Sequence, residues 1–278
     1  MKFIITACLL LQTYILSAQL KFETPFYDAL NKWVLFDSKN ENKEYILGYI
    51  YIDGSAGYSL RYNGLVVNDD SGLKLVSKPE KSLMVYRLDG RTSNVYVLND
   101  KNRKSLNLNL EPDYFENYKF SNPLDLLYKQ GNLLNGMQLS KAAIKPLEEL
   151  YSKNKNYKGL SFELGYAYNA TGAPEKGISI LEEYLKGNNN DYWAMKELML
   201  AYLLTNNLEN AKELYNQIMK IAPNNSLKAE VSSYIARAYF DLKDKENFEK
   251  WIAVAESYSN DNIQVKNYIQ VLKNNFKQ

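Results

Sequence analysis

Between residues 20 and 110, short apolar runs alternate with turn residues. The segment Tyr45–Ile52 is aromatic and β-branched except at Leu47 and Gly48, so it predicts a strand buried on nearly both faces. The dipeptide Asn63-Gly64 predicts a hairpin turn. The other strand-like runs are Trp33–Phe36, Tyr58–Tyr62, Leu65–Val67, Leu73–Val76, Leu83–Tyr86 and Val95–Leu98. The pattern predicts a small all-β domain over residues 19–110, an antiparallel meander built as a sandwich or an open barrel.

Two segments beside this region have a different pattern. Thr24–Lys32 has apolar residues near helical spacing and is predicted as a short leading helix. Residues 111–123 contain two prolines and four aromatic residues, so we expect a joint between domains that packs on one of them or on both. Pro123 is well placed to open the first helix of the second domain.

From Leu124 onward, small and large residues recur with a period of 34 residues. The recurring residues are Gly131, Gly165, Met199 and Ala236 at position 8, Ala143, Gly177, Ala211 and Phe248 at position 20, and Leu147, Leu181, Tyr215 and Ile252 at position 24. Such a repeat predicts stacked helical hairpins. The predicted hairpins cover residues 124–157, 158–191, 192–225 and, after a slip of three residues, 229–262. Residues 263–278 are predicted as a capping helix. The predicted fold class is therefore α+β in two domains.

Composition excludes several kinds of chemistry. The chain has 34 Lys and Arg against 32 Asp and Glu, so it lacks the basic excess that marks nucleic-acid binding. It contains no histidine, which excludes catalytic triads with a His base and zinc sites built from His and Cys. We therefore predict a protein that is not an enzyme and that binds no cofactor and no metal.

The first 18 residues resemble a secretory signal peptide. Lys2 is followed by a largely apolar stretch, and Leu16-Ser17-Ala18 offers a cleavage site with small residues. The single cysteine, Cys8, lies too close to Lys2 for a lipoprotein attachment site, and cleavage after Ala18 would leave a mature chain without cysteine. We expect an exported protein, located in the periplasm or elsewhere in the cell envelope or outside the cell, with no stable membrane insertion of the mature chain.

The repeat resembles the tetratricopeptide repeat (TPR) family. The frame from Tyr192 matches it best, with Leu198, Tyr202, Ala211, Tyr215 and Pro223. This resemblance implies an α-α superhelical array that binds a protein or peptide partner in a concave groove lined by the first helix of each hairpin. The lining residues it implies are Tyr128, Asn132, Phe162, Tyr166, Asn169, Trp193, Lys196, Glu197, Tyr234, Arg237 and Phe240. Aromatic residues at the positions of the family's carboxylate clamp argue against binding of acidic C-terminal tails.

The leading functional hypothesis is a non-catalytic scaffold or adaptor of a bacterial-type envelope, with the β domain as a second docking surface. The alternative is a module that binds glycan or peptidoglycan through tyrosines of the β domain. Those tyrosines are Tyr45, Tyr49, Tyr51, Tyr58 and Tyr62. The carboxylate pairs Glu148-Glu149 and Glu182-Glu183 suggest an enzyme less well than they suggest a solvated outer helix face.

Overall fold

A computed structural model describes residues 20–39, 43–79, 84–259 and 262–276. The predicted signal peptide, residues 1–18, and Cys8 lie outside these residues and stay a prediction. The described chain is α+β, with an antiparallel sheet followed by an array of helices, which confirms the predicted fold class. Two compact units divide it, the first ending at Lys119 and the second beginning at Phe120.

The first unit is built on one antiparallel sheet. Its strands are β1 (Lys32–Asp37), β2 (Tyr45–Asp53), β3 (Gly57–Asp69), β4 (Gly72–Ser77), β5 (Val85–Arg87) and β6 (Tyr96–Val97). Their order is β4-β3-β2-β1-β6, and β5 pairs with β3 as well. The described strands thus form a single sheet, not the predicted sandwich or barrel. In β2 every residue from Leu47 to Ile52 is buried, as its apolar sequence predicted.

The predicted turn at Asn63-Gly64 is wrong, because both residues lie inside β3. In the β2–β3 register Leu47 faces Gly64 and Gly48 faces Tyr62, so Asn63 is an additional residue that forms a β-bulge. Gly64 has a φ of 144°, and a Cβ there would collide with the carbonyl oxygen of Ser77. A glycine at this position therefore permits the bulge and lets the backbone of β3 approach that of Ser77 closely.

Helical segments of the first unit are short. The predicted leading helix over Thr24–Lys32 is reduced to a 3₁₀ helix, Phe26–Ala29. α1 spans Asp100–Ser105, and a second 3₁₀ helix, Asp113–Tyr118, lies within the predicted joint. Phe115 of this 3₁₀ helix packs on Tyr49 with ring centroids 5.1 Å apart. Phe115 is thus part of the core of the first unit, and Tyr114 and Tyr118 pack against that core.

The second unit is an array of nine helices over its described residues. They are α2 (Pro123–Gly136), α3 (Ser140–Lys153), α4 (Leu160–Ala170), α5 (Pro174–Leu185), α6 (Tyr192–Leu204), α7 (Leu208–Ile221), α8 (Asn225–Asp241), α9 (Lys245–Tyr258) and α10 (Ile263–Phe276). Every first helix ends at position 13 of its frame, and every second helix begins at position 17. The slip of three residues is absorbed at the start of α8, which has 17 residues.

Close packing within the first two hairpins depends on the glycine at position 8. A Cβ on Gly131 would overlap the side chain of Leu147, and a Cβ on Gly165 would lie 2.7 Å from Leu181 Cδ1. Both leucines are fully buried. The absence of a side chain at position 8 therefore lets the large residue at position 24 reach the backbone of the first helix.

We predict that Gly165→Ala destabilises the second unit although alanine favours helix. The added methyl group must displace Leu181 in a packed core, and overpacking of this kind costs about 1–3 kcal/mol. Thermal and urea unfolding followed by helical circular dichroism measures the change. Gly136→Ala is the matched control, since a Cβ there meets nothing within 4 Å. Equal stabilities for the two variants would contradict this account of hairpin packing.

Candidate partner-binding surface

The first helices of the hairpins pack side by side, α2 on α4, α4 on α6, α6 on α8 and α8 on α10. We call the surface formed by α2, α4, α6 and α8 the first-helix wall. All eleven residues that the resemblance implied as partner contacts lie on these four helices. They are Tyr128 and Asn132 on α2, Phe162, Tyr166 and Asn169 on α4, Trp193, Lys196 and Glu197 on α6, and Tyr234, Arg237 and Phe240 on α8.

Three of these residues form an aromatic patch on α4 and α6. The rings of Phe162 and Tyr166 are 6.5 Å apart, and that of Trp193 lies 6.3 Å from Phe162. Trp193 is 48% exposed, whereas Phe162 and Tyr166 are half-buried. The Nζ of Lys196 lies 4.9 Å from the indole ring, within the range of a cation–π interaction. The indole is therefore held from two sides and remains open to a partner on another.

Three others, Asn132, Asn169 and Glu197, take part in hydrogen bonds between hairpins. Asn169 Nδ2 donates to the carbonyl oxygen of Glu197 at 2.9 Å and to its Oε2 at 3.2 Å. One repeat earlier, Asn135 Nδ2 donates to the carbonyl oxygen of Glu163 at 2.9 Å and to its Oε2 at 2.8 Å. Asn132 donates to Oε1 of the same Glu163 at 2.6 Å. We call the four residues Asn135, Glu163, Asn169 and Glu197 the amide–carboxylate ladder.

The ladder is buried, and this changes the chemistry of its acids. Glu163 and Glu197 are 6% and 4% exposed. Burial raises the pKa of the Glu197 carboxyl, while the charge of Lys196 and the hydrogen bond from Asn169 oppose that increase. These groups are engaged inside the array, so whether Asn169 or Glu197 also contacts a partner stays a prediction.

The two cations among the implied contacts, Lys196 and Arg237, each have a carboxylate neighbour. Lys196 is 8% exposed, and its Nζ lies 3.0 Å from Glu230 Oε1 on α8. Tyr234 donates to the same oxygen at 2.6 Å, and burial followed by the charge of Glu230 raises the pKa of Tyr234. Arg237 pairs with Asp241 at 2.9 Å one turn along α8. Since both charges are neutralised within the chain, the wall offers a partner its aromatic side chains more than its charges.

The remaining two implied contacts are aromatic and pack inside the array. Tyr128 lies 5.2 Å from Tyr157 between ring centroids, and burial raises the pKa of Tyr128. Phe240 lies 5.9 Å from Phe248 and 5.5 Å from Phe276. Tyr128 thus packs on the loop that precedes α4, and Phe240 joins α8 to α9 and α10, so any part in partner binding is additional to a packing role.

The amide–carboxylate ladder was not foreseen from the sequence, although its signal is present there. Asn135 and Asn169 both occupy position 12 of their frames, and Glu163 and Glu197 both occupy position 6. Reading the polar residues at the 34-residue period, as well as the apolar ones, would have found the pairing. Glu230, the carboxylate on α8 that pairs with Lys196, has no such recurrence.

The carboxylate pairs on the second helices have one member in a structural contact. The hydroxyl of Tyr168 donates to Glu148 at 2.6 Å, and that of Tyr202 donates to Glu182 at 2.6 Å. The neighbouring Glu149 and Glu183 form ion pairs with lysines on the surface. All four carboxylate residues are exposed, so the predicted solvated face holds for both members of each pair. The first member of each pair also links two hairpins through its tyrosine contact.

At the end of the array, α9 and α10 enclose a groove of about 600 Å³. Its lining residues are Lys245, Phe248, Glu249, Ile252, Ala253, Glu256, Lys273 and Phe276. Phe248 and Phe276 stack at its floor, 4.4 Å apart. Position 21 is the half-buried Ile144 or Ile178 in the first two hairpins but the exposed Glu249 here, so the last hairpin presents a more polar face.

The tyrosines proposed for glycan binding are largely core residues, which corrects that alternative. Tyr49, Tyr51 and Tyr58 are at most 1% exposed. Tyr49 packs between Trp33 and Phe115, at 5.2 and 5.1 Å between ring centroids. Because these strands are buried on both faces, their aromatic rings stabilise the sheet and have no face open to a sugar. Tyr45 and Tyr62 are half-buried.

These observations define a two-unit protein whose second unit is an α-hairpin repeat array. No family model matches the chain, and no curated protein matches it. Among solved structures, the chain is similar to TTC0263, described as a thermophilic TPR protein in Thermus thermophilus. The two share 18% identity over 57% of this chain and 86% of that chain, with a TM-score of 0.46. The repeat architecture follows from the helices of this chain and their packing on one another.

Over the described residues, no helix combines the length and the apolar character needed to cross a membrane.

We predict that Glu197→Gln makes the protein more stable relative to wild type as the pH rises. Burial places the pKa of Glu197 above its value in the unfolded chain, so the stability that its protonation provides is present at low pH and lost as the pH rises through the raised pKa. Glutamine stays uncharged and can still accept the bond from Asn169.

Urea unfolding at several values between about pH 4 and pH 8 measures the difference between the two proteins. Glu209→Gln is the matched control, because that side chain is 86% exposed. A difference for Glu197→Gln that stays constant or falls with pH would show that burial does not govern this carboxyl.

Proposed function

We propose that this protein is a non-catalytic interaction scaffold, exported to the cell envelope, that binds a protein or peptide on its first-helix wall. The observation that supports it best is the aromatic patch, in which a half-exposed Trp193 stands on Phe162 beside Tyr166. Large aromatic side chains held in a defined position are the usual anchors of protein interfaces.

The position of Trp193 favours affinity because its side chain is already held in place, so binding removes little conformational freedom. Asp191 accepts hydrogen bonds from the backbone N–H groups of Trp193 and Ala194 and so caps α6 directly beneath the indole. Lys196 and Phe162 contact the ring from within the wall. An anchor that is already ordered in the free protein loses less conformational entropy on association.

The charges of the wall indicate which partner it suits. Lys196 and Arg237 are paired with Glu230 and Asp241, so an acidic tail would have to compete with these carboxylates. A segment with apolar or aromatic side chains gains burial against the patch without breaking an ion pair. We therefore propose that the partner is recognised by apolar anchors, with charge in a secondary role.

Export is part of the proposal and is supported by the sequence of residues 1–18 alone. The glycan-binding alternative is not retained, because three of its five tyrosines are core residues. Catalysis is not proposed either. The chain has no histidine, and the buried carboxylates of the second unit serve the contacts between hairpins.

We predict that Trp193→Ala removes partner binding while the array stays folded. Loss of an interface anchor typically costs about 2 kcal/mol or more, which corresponds to a roughly 30-fold weaker Kd. Affinity capture from envelope extract with wild type identifies the candidates, and calorimetry with the purified partner measures the Kd for each variant.

Arg237→Ala is the second test, with a smaller expected effect because that guanidinium is paired with Asp241. Val271→Ala serves as the control, since Val271 is 54% exposed but lies on α10, outside the first-helix wall. If wild type, Trp193→Ala and Arg237→Ala bind the same partners with the same Kd, the first-helix wall is not the binding surface.

Export is tested by the N-terminus of the mature protein. When the full chain is expressed in a bacterium, mass spectrometry of the periplasmic or secreted fraction should find a chain that begins at Gln19. Ala18→Arg places a large cation at the predicted cleavage site, so it should leave the precursor uncut. A wild-type protein that keeps Met1 or Lys2 and stays in the cytoplasmic fraction would refute export.

A further inference from the structure

One edge of the sheet is formed by β4 and β5 together. β4 pairs with Leu65–Asp69 of β3 and β5 with Ser59–Arg61, on the side of β3 that does not face β2. Over residues 20–39, 43–79 and 84–119, no further strand pairs with β4 or β5. An edge of this kind leaves backbone donors and acceptors open to another strand.

The hydrogen bonds of β5 show which of its backbone groups are open. The Tyr62 N–H donates to the carbonyl oxygen of Met84 at 3.0 Å, and the Leu88 N–H donates to that of Tyr58 at 2.9 Å. Backbone groups of alternate residues in a strand point to the same side. Those of Val85 and Arg87 therefore point away from β3, towards the free edge.

Exposed apolar side chains gather along the same edge. Val76 is 51% exposed, Met84 52%, Val85 44% and Tyr86 42%. Successive side chains of β5 lie on opposite faces of the sheet, so this strand is open on both faces. A strand added beside β5 would pair with the backbone and cover apolar surface on both faces at once, which is how β-augmentation obtains its affinity.

The charge of this edge indicates what kind of strand it suits. Residues 72–79 and 84–87 contain Lys74, Lys78 and Arg87, all exposed, and no Asp or Glu. Lys74 pairs with Asp69 in the β3–β4 hairpin. Lysine and proline at a sheet edge disfavour pairing with an identical edge, and Pro79 follows Lys78 here. Since the charge of Lys74 is already paired, Lys78 and Arg87 are the cations of this edge that attract an acidic strand.

We propose that the β4–β5 edge, Gly72–Ser77 and Met84–Arg87, takes up an extended acidic segment of another protein as an additional strand. This names a surface and a partner chemistry for the first unit. It rests on the proposed function only because both proposals make this protein one that binds other polypeptides. It requires neither Trp193 nor the first-helix wall.

The test uses the full chain and two fluorescent nonapeptides, one of alternating valine and glutamate and one of alternating valine and lysine. Fluorescence anisotropy should show the glutamate peptide binding at least 10-fold more tightly than the lysine peptide, with an affinity that falls as salt is added. Val85→Pro removes an N–H that points away from β3, so it should keep the β3–β5 pairing and weaken binding at least 10-fold. Arg87→Glu should reduce the preference for the glutamate peptide, since the charge of Lys78 is then offset by a carboxylate on the same edge.

Two controls make each outcome decisive. Circular dichroism of Val85→Pro must match wild type, and Trp193→Ala must bind the glutamate peptide like wild type. The proposal is overturned if neither peptide binds at millimolar concentration, or if Val85→Pro and Arg87→Glu bind the glutamate peptide like wild type. It is also overturned if light scattering shows a dimer that Val85→Pro abolishes, because the edge would then belong to a second copy of the chain.

Discussion

The second unit depends on the packing of its helical hairpins, and in the first two a glycine lets the paired helices approach closely. At position 8, Gly131 and Gly165 have no side chain, and the leucine at position 24 fills the space that this leaves. A helical hairpin cannot bury its apolar face alone, so each one is stabilised by the next in the array. The packing of α4 beside α6 in this array brings Trp193 next to Phe162 on the first-helix wall.

Polar contacts then fix how one hairpin sits on its neighbour. Apolar packing tolerates small slips, whereas a buried carboxylate such as Glu163 or Glu197 is costly unless its amide partner stands opposite. Asn135 is that partner for Glu163, and Asn169 is that partner for Glu197. Each amide donates to both the carboxylate and the backbone carbonyl oxygen of its glutamate. The ladder therefore requires neighbouring hairpins to pack in one register. The aromatic patch lies between α4 and α6, which the Asn169–Glu197 pair also joins.

The sequence predicted those features that repeat or that depend on neighbours in the chain. The period of 34 residues located the helices and the wall, and the apolar run in β2 located a strand buried on both faces. The predicted turn at Asn63-Gly64 was wrong because a dipeptide reports only a local preference. The bulge forms because β3 pairs with another strand, β2, where Leu47 faces Gly64.

Features set by distant partners could not be found in the same way. Lys196 was expected to contact a partner, but within the wall its ammonium group pairs with Glu230, 34 residues further along the chain. Tyr49 and Tyr51 looked like a possible sugar platform, but the aromatic residues of a later segment, Phe115 and Tyr118, cover them. In each case the deciding neighbour lies on another element, and no local pattern in the chain identifies it.

The polar face of α9 has a consequence for the size of the assembly. Repeat arrays with apolar ends can extend from one molecule into the next and grow into filaments. On α9, Glu249 and Glu256 each lie beside a lysine. Covering this face with apolar surface would strip water from both ion pairs, a desolvation cost that an apolar end does not have.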